Sequence, residues 1–402
     1  MKKLRSLSVP ATYIRGGTSK GVFFALKDLP DFARTPGEAR DMFFLRVVGS
    51  PDPYGKHIDG MGGATSSTSK VVIVSPSKRK NHDLDYLFGQ VSIDKPEIDW
   101  SGNCGNLSAA VAGFGISRGM MEKTKIQEDG ICEVRIWQEN IAKTIVAKVP
   151  VFEGIPQEEG DFELDGVAFP SAEVCLDFIN PGDEGGGSVF PTGSVVDNLD
   201  VPGYGAFEVT LINAGIPTVF LRAKDLGYSG TELQADINSD EKALKKFEAI
   251  RISGSIAMGL AKDEVAASGS QHTPKIAMVA PAKDYISSSG KRISGSDIDI
   301  VVRALSMGKL HHAMMGTAAV AIGAAATIPG TLVHVAMGEN QNGEVLFGHP
   351  SGTLRVGSET DSTESGWVVR KVSMSRSARV IMDGRVKVPY GQFASLLDNL
   401  NR

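Results

Sequence analysis

Ser101-Gly102-Asn103-Cys104-Gly105-Asn106 runs directly into Leu107-Ser108-Ala109-Ala110-Val111-Ala112-Gly113-Phe114. A cysteine thus sits in a Gly- and Asn-rich turn that opens a helix apolar on nearly every face, the pattern of a buried helix. The first turn of a helix leaves N–H groups without intrahelical acceptors and carries positive partial charge, so it attracts anions. The glycines permit close backbone approach to a ligand. The pattern favours Cys104 as an activated acid/base in a carboxylate-binding site over a packed thiol at a helix cap.

The chain around this stretch has 402 residues, enough for two domains with sizeable cores. Net charge is −5 with no basic stripe, which argues against nucleic acid as a partner. The start, Met-Lys-Lys-Leu-Arg-Ser, lacks the apolar core of a signal peptide. No run of about twenty strongly apolar residues suggests a membrane span. Three cysteines, Cys104, Cys132 and Cys175, with no CxxC, fit neither a disulfide framework nor a zinc site, so a cytoplasmic setting is expected.

Upstream, Ala11–Arg15 and Gly21–Leu26 read as short strands around Arg15-Gly16-Gly17-Thr18-Ser19-Lys20, and 35–48 reads as a helix. Gly62-Gly63-Ala64-Thr65-Ser66-Ser67-Thr68-Ser69-Lys70 resembles a phosphate loop superficially. It departs from that pattern after the lysine, where Val71-Val72-Ile73-Val74 is a strand and not a helix. Nucleotide binding is therefore rejected. Lys70, at the mouth of a buried strand beside hydroxyls, suits a carboxylate anchor or a proton donor. Residues 132–137 and 143–149 alternate as a hairpin.

The loop Asn180–Gly187 marks a domain boundary, giving units 1–190 and 191–402, with the final strand or helix packing back on the first. In the second unit, 207–212, 218–222 and 275–279 read as strands and 296–305 as a helix capped by Ser296. Leu310 to Val320 opens a second all-apolar helix. Strands are expected at 333–337, 345–347, 353–356, 367–373 and 380–388, and a short amphipathic helix at 391–400. Cys104 and Met315 occupy equivalent points of the two halves. That symmetry predicts two helix N-termini aimed at one anion with more than one carboxylate.

Cys104-Gly105-Asn106 before a small apolar helix resembles the first catalytic motif of the diaminopimelate epimerase-like fold. Met315-Gly316-Thr317-Ala318 lies where that fold's second motif belongs. Arg15 to Gly21, Gly62-Gly63 with Thr68-Ser69-Lys70, Pro191-Thr192-Gly193, Pro274-Lys275, His312 and Gly348-His349-Pro350-Ser351-Gly352 resemble the PrpF branch, the methylaconitate isomerases, along nearly the whole chain. The resemblance implies an α+β fold of two similar domains. Each would have a curved β-sheet or barrel around a central apolar helix, with the active site in the cleft between them.

It also implies no metal and no organic cofactor, and an isomerase of unsaturated di- and tricarboxylates. The leading expectation is cis–trans isomerisation of 2-methylaconitate in propionate catabolism, alongside an aconitase-like 2-methylcitrate dehydratase. Relatives act on methylitaconate or oxalomesaconate; a non-catalytic accessory role is the competing reading. Lys70 and Cys104 match the family's catalytic residues. Met315 cannot transfer protons, which argues against an amino-acid epimerase, leaves a tautomerase of oxo-dicarboxylates open, and points to an allylic proton transfer between Lys70 and Cys104, in either order. Candidate substrate-binding residues are Ser19, Thr68, Ser69, Asn103, Gly105, Asn106, Met315, Gly316 and Thr317, with His349 and Ser351 the weaker pair. Oligomeric state is left open.

Overall fold

In the computed structural model the described residues are 6–182, 189–338, 343–389 and 391. Among them, eighteen strands hydrogen-bond into one continuous, mostly antiparallel network, and helices pack against it, an α+β architecture. β-branched runs dominate the strands. Val71-Val72-Ile73-Val74, for example, is buried on both faces within Lys70–Pro76.

The order of pairing occurs twice. In the first half, the hairpin Ser6–Gly16 and Ser19–Ala25 is followed by Lys70–Pro76. That strand runs parallel to the hairpin's second arm and antiparallel to Leu84–Val91. In the second half, the hairpin Gly205–Ala214 and Ile216–Arg222 is followed by Lys275–Pro281. Lys275–Pro281 is parallel to the second arm and antiparallel to Ile300–Ser306. An apolar helix comes next in each copy, Ser108–Ser117 or Gly316–Thr327. The strand after it, Gly130–Gln138 or Glu344–His349, lies parallel to the fourth strand of its copy. Lys70 and Lys275 thus open equivalent strands, and Cys104 and Met315 precede equivalent helices.

Both apolar helices belong to one core cluster, and from Gly316 to Ala326 every residue of the second is buried. Ala and Gly dominate that helix, so the surrounding strands approach its backbone closely. Each fully buried Val or Leu of the wrapping strands contributes on the order of 1.5–3 kcal/mol relative to exposure. The long final strand, Gly366–Pro389, pairs with Gly352–Thr363 and also with Ser6–Gly16 and Glu173–Ile179, joining the C-terminal end to the N-terminal half.

Three expected elements differ. Residues 296–305 form a strand, Ile300–Ser306, after a single 3-10 turn at Gly295–Asp297. The alternation of Ile298, Ile300, Val302 and Ala304 has period two, and burial of both strand faces hides it among further apolar residues. Residues 333–337 lie in a helix, Leu332–Met337, because the Thr331 side chain caps it by accepting from the His334 N–H at 3.0 Å. The second apolar helix begins at Gly316, and Lys309–Leu310 is a short strand before it. The helix expected over 391–400 lies, beyond Gly391, outside the described residues, as do 183–187 of the glycine-rich loop.

Candidate active site

Lys70 stands opposite Gln90 in the antiparallel pair, and its Nζ donates to Gln90 Oε1 at 2.7 Å. Gln90 Nε2 donates in turn to the Ser69 carbonyl at 3.0 Å, which fixes the amide's orientation. The ammonium also lies 4.9 Å from the centre of the Phe88 ring. Burial lowers the Lys70 pKa from the ordinary lysine value, while the adjacent Cys104 pulls it back up.

Cys104 is buried in the turn before the first apolar helix. Its carbonyl accepts from the Ser108 N–H at 3.0 Å, the Ser108 hydroxyl at 3.1 Å and the Tyr86 hydroxyl at 3.4 Å. The turn is therefore locked from behind, which leaves the thiol beside Lys70. Burial pushes the Tyr86 hydroxyl well above the usual tyrosine pKa, with Cys104 adding to the effect, so Tyr86 acts as a neutral donor.

The two helix entrances touch. A Cβ on Gly105 would lie 2.8 Å from the Gly316 carbonyl carbon, and one on Gly316 would lie 2.7 Å from the Asn106 nitrogen. Only glycine at both positions allows this approach. Met315, extended at the N-cap of the second helix, comes to the same place from the other copy. The N–H groups of Gly105, Asn106, Gly316 and Thr317 thus gather where two positive helix ends converge.

Asn106 ties the joint together. Its Nδ2 donates to Thr18 Oγ1 at 3.0 Å and to the Met314 carbonyl at 3.2 Å, and its Oδ1 accepts from Arg376 Nε at 2.9 Å. The side chain is fully occupied, so any contact Asn106 makes with a ligand is through its backbone. Gly17, at φ +51°, passes so close that a Cβ there would lie 2.5 Å from Asn106 Oδ1.

A narrow cavity brings Ser19, Lys70, Asn103, Cys104, Gly105, Asn106, Met315, Gly316 and Thr317 together. It is also lined by Ser66, Gln90, His272, Lys275, Ser306 and His311, which the sequence reading did not assign to the site. None of the lining residues is acidic, so the cavity selects for anions. Burial, reinforced by neighbouring cations, holds His272 and His311 neutral, well below the ordinary histidine pKa. His311 Nδ1 accepts from the Ala313 N–H at 3.1 Å, a contact within the turn that leads into the second apolar helix.

The remaining expected residues lie outside this cavity. Ser69 is buried behind Lys70, its Oγ 3.4 Å from His57 Nδ1. Thr68 and Ser19 line a larger, open cavity of about 970 Å³ that also touches Arg15, Lys20, Phe169 and Arg379. Ser19 borders both spaces. His349 Nδ1 accepts from the Ser351 N–H at 3.2 Å, and burial with nearby Arg303 drops the ring to about 3. Ser351 Oγ donates to the His312 carbonyl. His349 and Ser351 therefore shape the turn behind the outer cavity.

No helix among the described residues is long and apolar enough to cross a membrane. The fold is that of the proline racemase and epimerase class. A hydroxyproline epimerase from Agrobacterium vitis superposes with a TM-score of 0.54 at 11% identity, covering 96% of this chain and 94% of that one. The crystal structure of a methylitaconate-delta-isomerase is nearer, with a TM-score of 0.76 at 36% identity and 97% of each chain covered. With that fold, the chain belongs to the PrpF protein family, whose model matches residues 6–389. It is 64% identical over 386 residues to the 2-methyl-aconitate isomerase of Shewanella oneidensis, covering 95% of this chain and 97% of the relative.

Proposed function

We propose that the chain is a cofactor-independent isomerase that interconverts cis and trans 2-methylaconitate by allylic proton transfer. The observation that carries the reading is the buried Lys70 beside Cys104, in a cavity with no acidic side chain. The relative at 64% identity is named for the same reaction.

The chemistry follows from the arrangement. One member of the Lys70/Cys104 pair takes a proton from the carbon one vinyl unit removed from a carboxylate. The electron pair left behind spreads through the double bond into that carboxylate as a dienolate. Rotation about the former double bond becomes possible, and the pair returns the proton. Nothing is gained or lost overall. The developing negative charge lies where the helix N–H groups of Gly105, Asn106, Gly316 and Thr317 converge. Preorganised donors of this kind are worth about 3 kcal/mol each in other enzymes. General acid–base transfer by a positioned pair adds about 10²- to 10⁴-fold.

The same reading divides the chain into units 1–190 and 191–402 around the cavity and places it in a reducing cytoplasm, where the three free thiols stay reduced. Its partner in metabolism is the aconitase-like dehydratase that shares the tricarboxylate. Similarity to the methylitaconate-delta-isomerase structure supports a second substrate, methylitaconate. Purified protein incubated separately with 2-methyl-cis-aconitate, methylitaconate and oxalomesaconate, and followed by proton NMR, tests the assignment. The highest kcat/KM is expected on 2-methylaconitate. A higher value on another acid reassigns the substrate, and no turnover of any of them refutes the isomerase reading.

A further inference from the structure

A buried histidine stands behind Lys70, outside the cavity. His57 lies in the loop before the Lys70 strand, with its backbone at φ +54° and its side chain almost wholly covered. Asp52 accepts from its N–H at 2.6 Å and also from the Tyr54 and Lys56 N–H groups. The ring meets three separate parts of the chain. Its Nδ1 accepts from the Ala64 N–H at 3.2 Å and lies 3.4 Å from Ser69 Oγ, and its Nε2 lies 3.4 Å from the Ile93 carbonyl oxygen. A backbone N–H can only donate, so this network makes Nδ1 the bare nitrogen and puts the ring hydrogen on Nε2, facing the carbonyl.

The chain is packed tightly around that ring. A Cβ on Gly62 would lie 2.2 Å from His57 Nδ1, and one on Gly60 would lie 2.2 Å from the Val48 carbonyl carbon. The Met61 N–H donates to the Val47 carbonyl at 2.8 Å and the Gly62 N–H to the Val48 carbonyl at 2.9 Å. Residues 60–62 are thus wedged between the imidazole and the end of the helix Glu38–Val48. Ser69 is fully buried, and a buried hydroxyl needs an acceptor; among the described residues His57 Nδ1 supplies it. The Ser69 carbonyl accepts from Gln90 Nε2 at 3.0 Å, and Gln90 Oε1 accepts from Lys70 Nζ at 2.7 Å. His57, Ser69, Gln90 and Lys70 therefore form one buried chain of hydrogen bonds, in which each link orients the next.

We propose that His57 is a positioning residue for Lys70: acting through Ser69 and Gln90, it holds the amine in the orientation that proton transfer requires. The proposal rests on the isomerase reading only for what Lys70 does. Removing the imidazole leaves the Ala64 N–H and the Ser69 hydroxyl unpaired and opens a gap beneath residues 60–69. The Ser69 carbonyl shifts, Gln90 loses the anchor that aims its oxygen at Lys70, and the amine loses its fixed acceptor.

Two measurements on the full chain test this. One is steady-state isomerisation of 2-methyl-cis-aconitate. The other is carbon-13 NMR of the lysine ε-carbons across pH, with Lys70 assigned by its absence in Lys70→Met. His57→Leu is expected to lower kcat by about 10-fold or more with KM within about threefold of native. It should also move the Lys70 midpoint to lower pH, because an accepting oxygen that favours the ammonium is lost. His57→Asn should restore both, since its Oδ1 can stand where Nδ1 stood and Asn tolerates a positive φ. A purely structural His57 would lower the melting temperature and leave kcat and the midpoint native. Native kcat with an unmoved midpoint in His57→Leu, or no recovery in His57→Asn, would overturn the proposal. If His57→Leu does not fold, Ser69→Ala, which removes only the hydroxyl and keeps the carbonyl, decides by the same two readouts. A midpoint that moves in His57→Leu and returns in His57→Asn, in a protein that turns over no unsaturated acid, would leave the positioning role standing and refute the isomerase reading. Turnover with native kcat and midpoint in His57→Leu would do the reverse.

Discussion

Gly105 and Gly316 meet backbone against backbone: a methyl group on Gly316 would lie 2.6 Å from the carbonyl carbon of Gly105. This contact fixes where two helix N-termini point, and with them Cys104 and Met315. Because the obstruction is backbone, no side chain can yield to relieve it. Gly316→Ala is expected to push the two entrances apart and to lower kcat by about 100-fold, the cost of misplacing groups by roughly an ångström. Steady-state kinetics with a thermal melt checks this. Native kcat in a folded Gly316→Ala protein would show that the joint does not set the geometry.

Asn106 is expected to behave as a structural residue. Asn106→Ala removes the acceptor for the buried Arg376 Nε and leaves the Met314 carbonyl without its donor. Arg376 keeps its bond to the Ser375 carbonyl, so the cost is that of a buried donor and a buried acceptor left unpaired, about 1–3 kcal/mol each. Denaturant unfolding should show a loss of that order, whatever happens to activity.

Gln90 orients Lys70 without touching substrate carbon. Gln90→Leu removes the 2.7 Å hydrogen bond and is expected to lower kcat by about 10- to 100-fold, from the energy of one hydrogen bond to a charged group. A neutral acceptor favours the ammonium, so its loss lowers the Lys70 pKa further. The limb of the pH–rate profile that reports Lys70 should move to lower pH. A drop in kcat with an unmoved profile would argue that Gln90 is only a packing residue.

Stability carries a pH signature from Lys275. Its folded pKa, about 7, lies below the unfolded value of 10.5. Between these limits the unfolded chain binds more protons than the folded one, so this residue's contribution to stability rises with pH from about 7 towards 10.5. Below about 7 both states are protonated and the penalty for burying the charge is full and constant. Lys275→Met should therefore be more stable than the native protein at pH 6, with the gain shrinking above pH 7 by at most about 1.4 kcal/mol per pH unit. Paired melts at pH 6, 7.5 and 9 test the sign.

The chemistry-bearing turn was legible because its parts are contiguous. Cys104, Gly105 and the small-residue helix stand in one stretch, and Lys70 stands at the mouth of an unmistakable β-branched run. Met315-Gly316-Thr317 was legible by its likeness to the first stretch. Pro274-Lys275 carries part of the family resemblance, but Lys275-Ile276-Ala277-Met278-Val279 reads as a buried strand, and the pairing order is what shows that its first residue matches Lys70. Gln90, His272 and Ser306 reach the cavity through tertiary placement that no local pattern encodes. The repeated lysine at the opening of the third strand, had the two halves been aligned on the helix entrances, was the signal available. Residues 296–305 were misread because a strand buried on both faces lacks clean alternation. His349 and Ser351 lie in a Gly-rich turn that lines neither cavity, and Ser351 reaches the outer one only through its bond to the His312 carbonyl.

The central claim is that Lys70 and Cys104 carry a proton to and from an allylic carbon. Proton NMR of 2-methyl-cis-aconitate in D2O, with native protein, Lys70→Ala and Cys104→Ser, tests it most directly. The account predicts cis–trans equilibration with deuterium entering the allylic position in the native protein. Both should fall by about 10²-fold or more in each variant. Isomerisation without deuterium uptake in the native protein, or full exchange surviving in both variants, would contradict it.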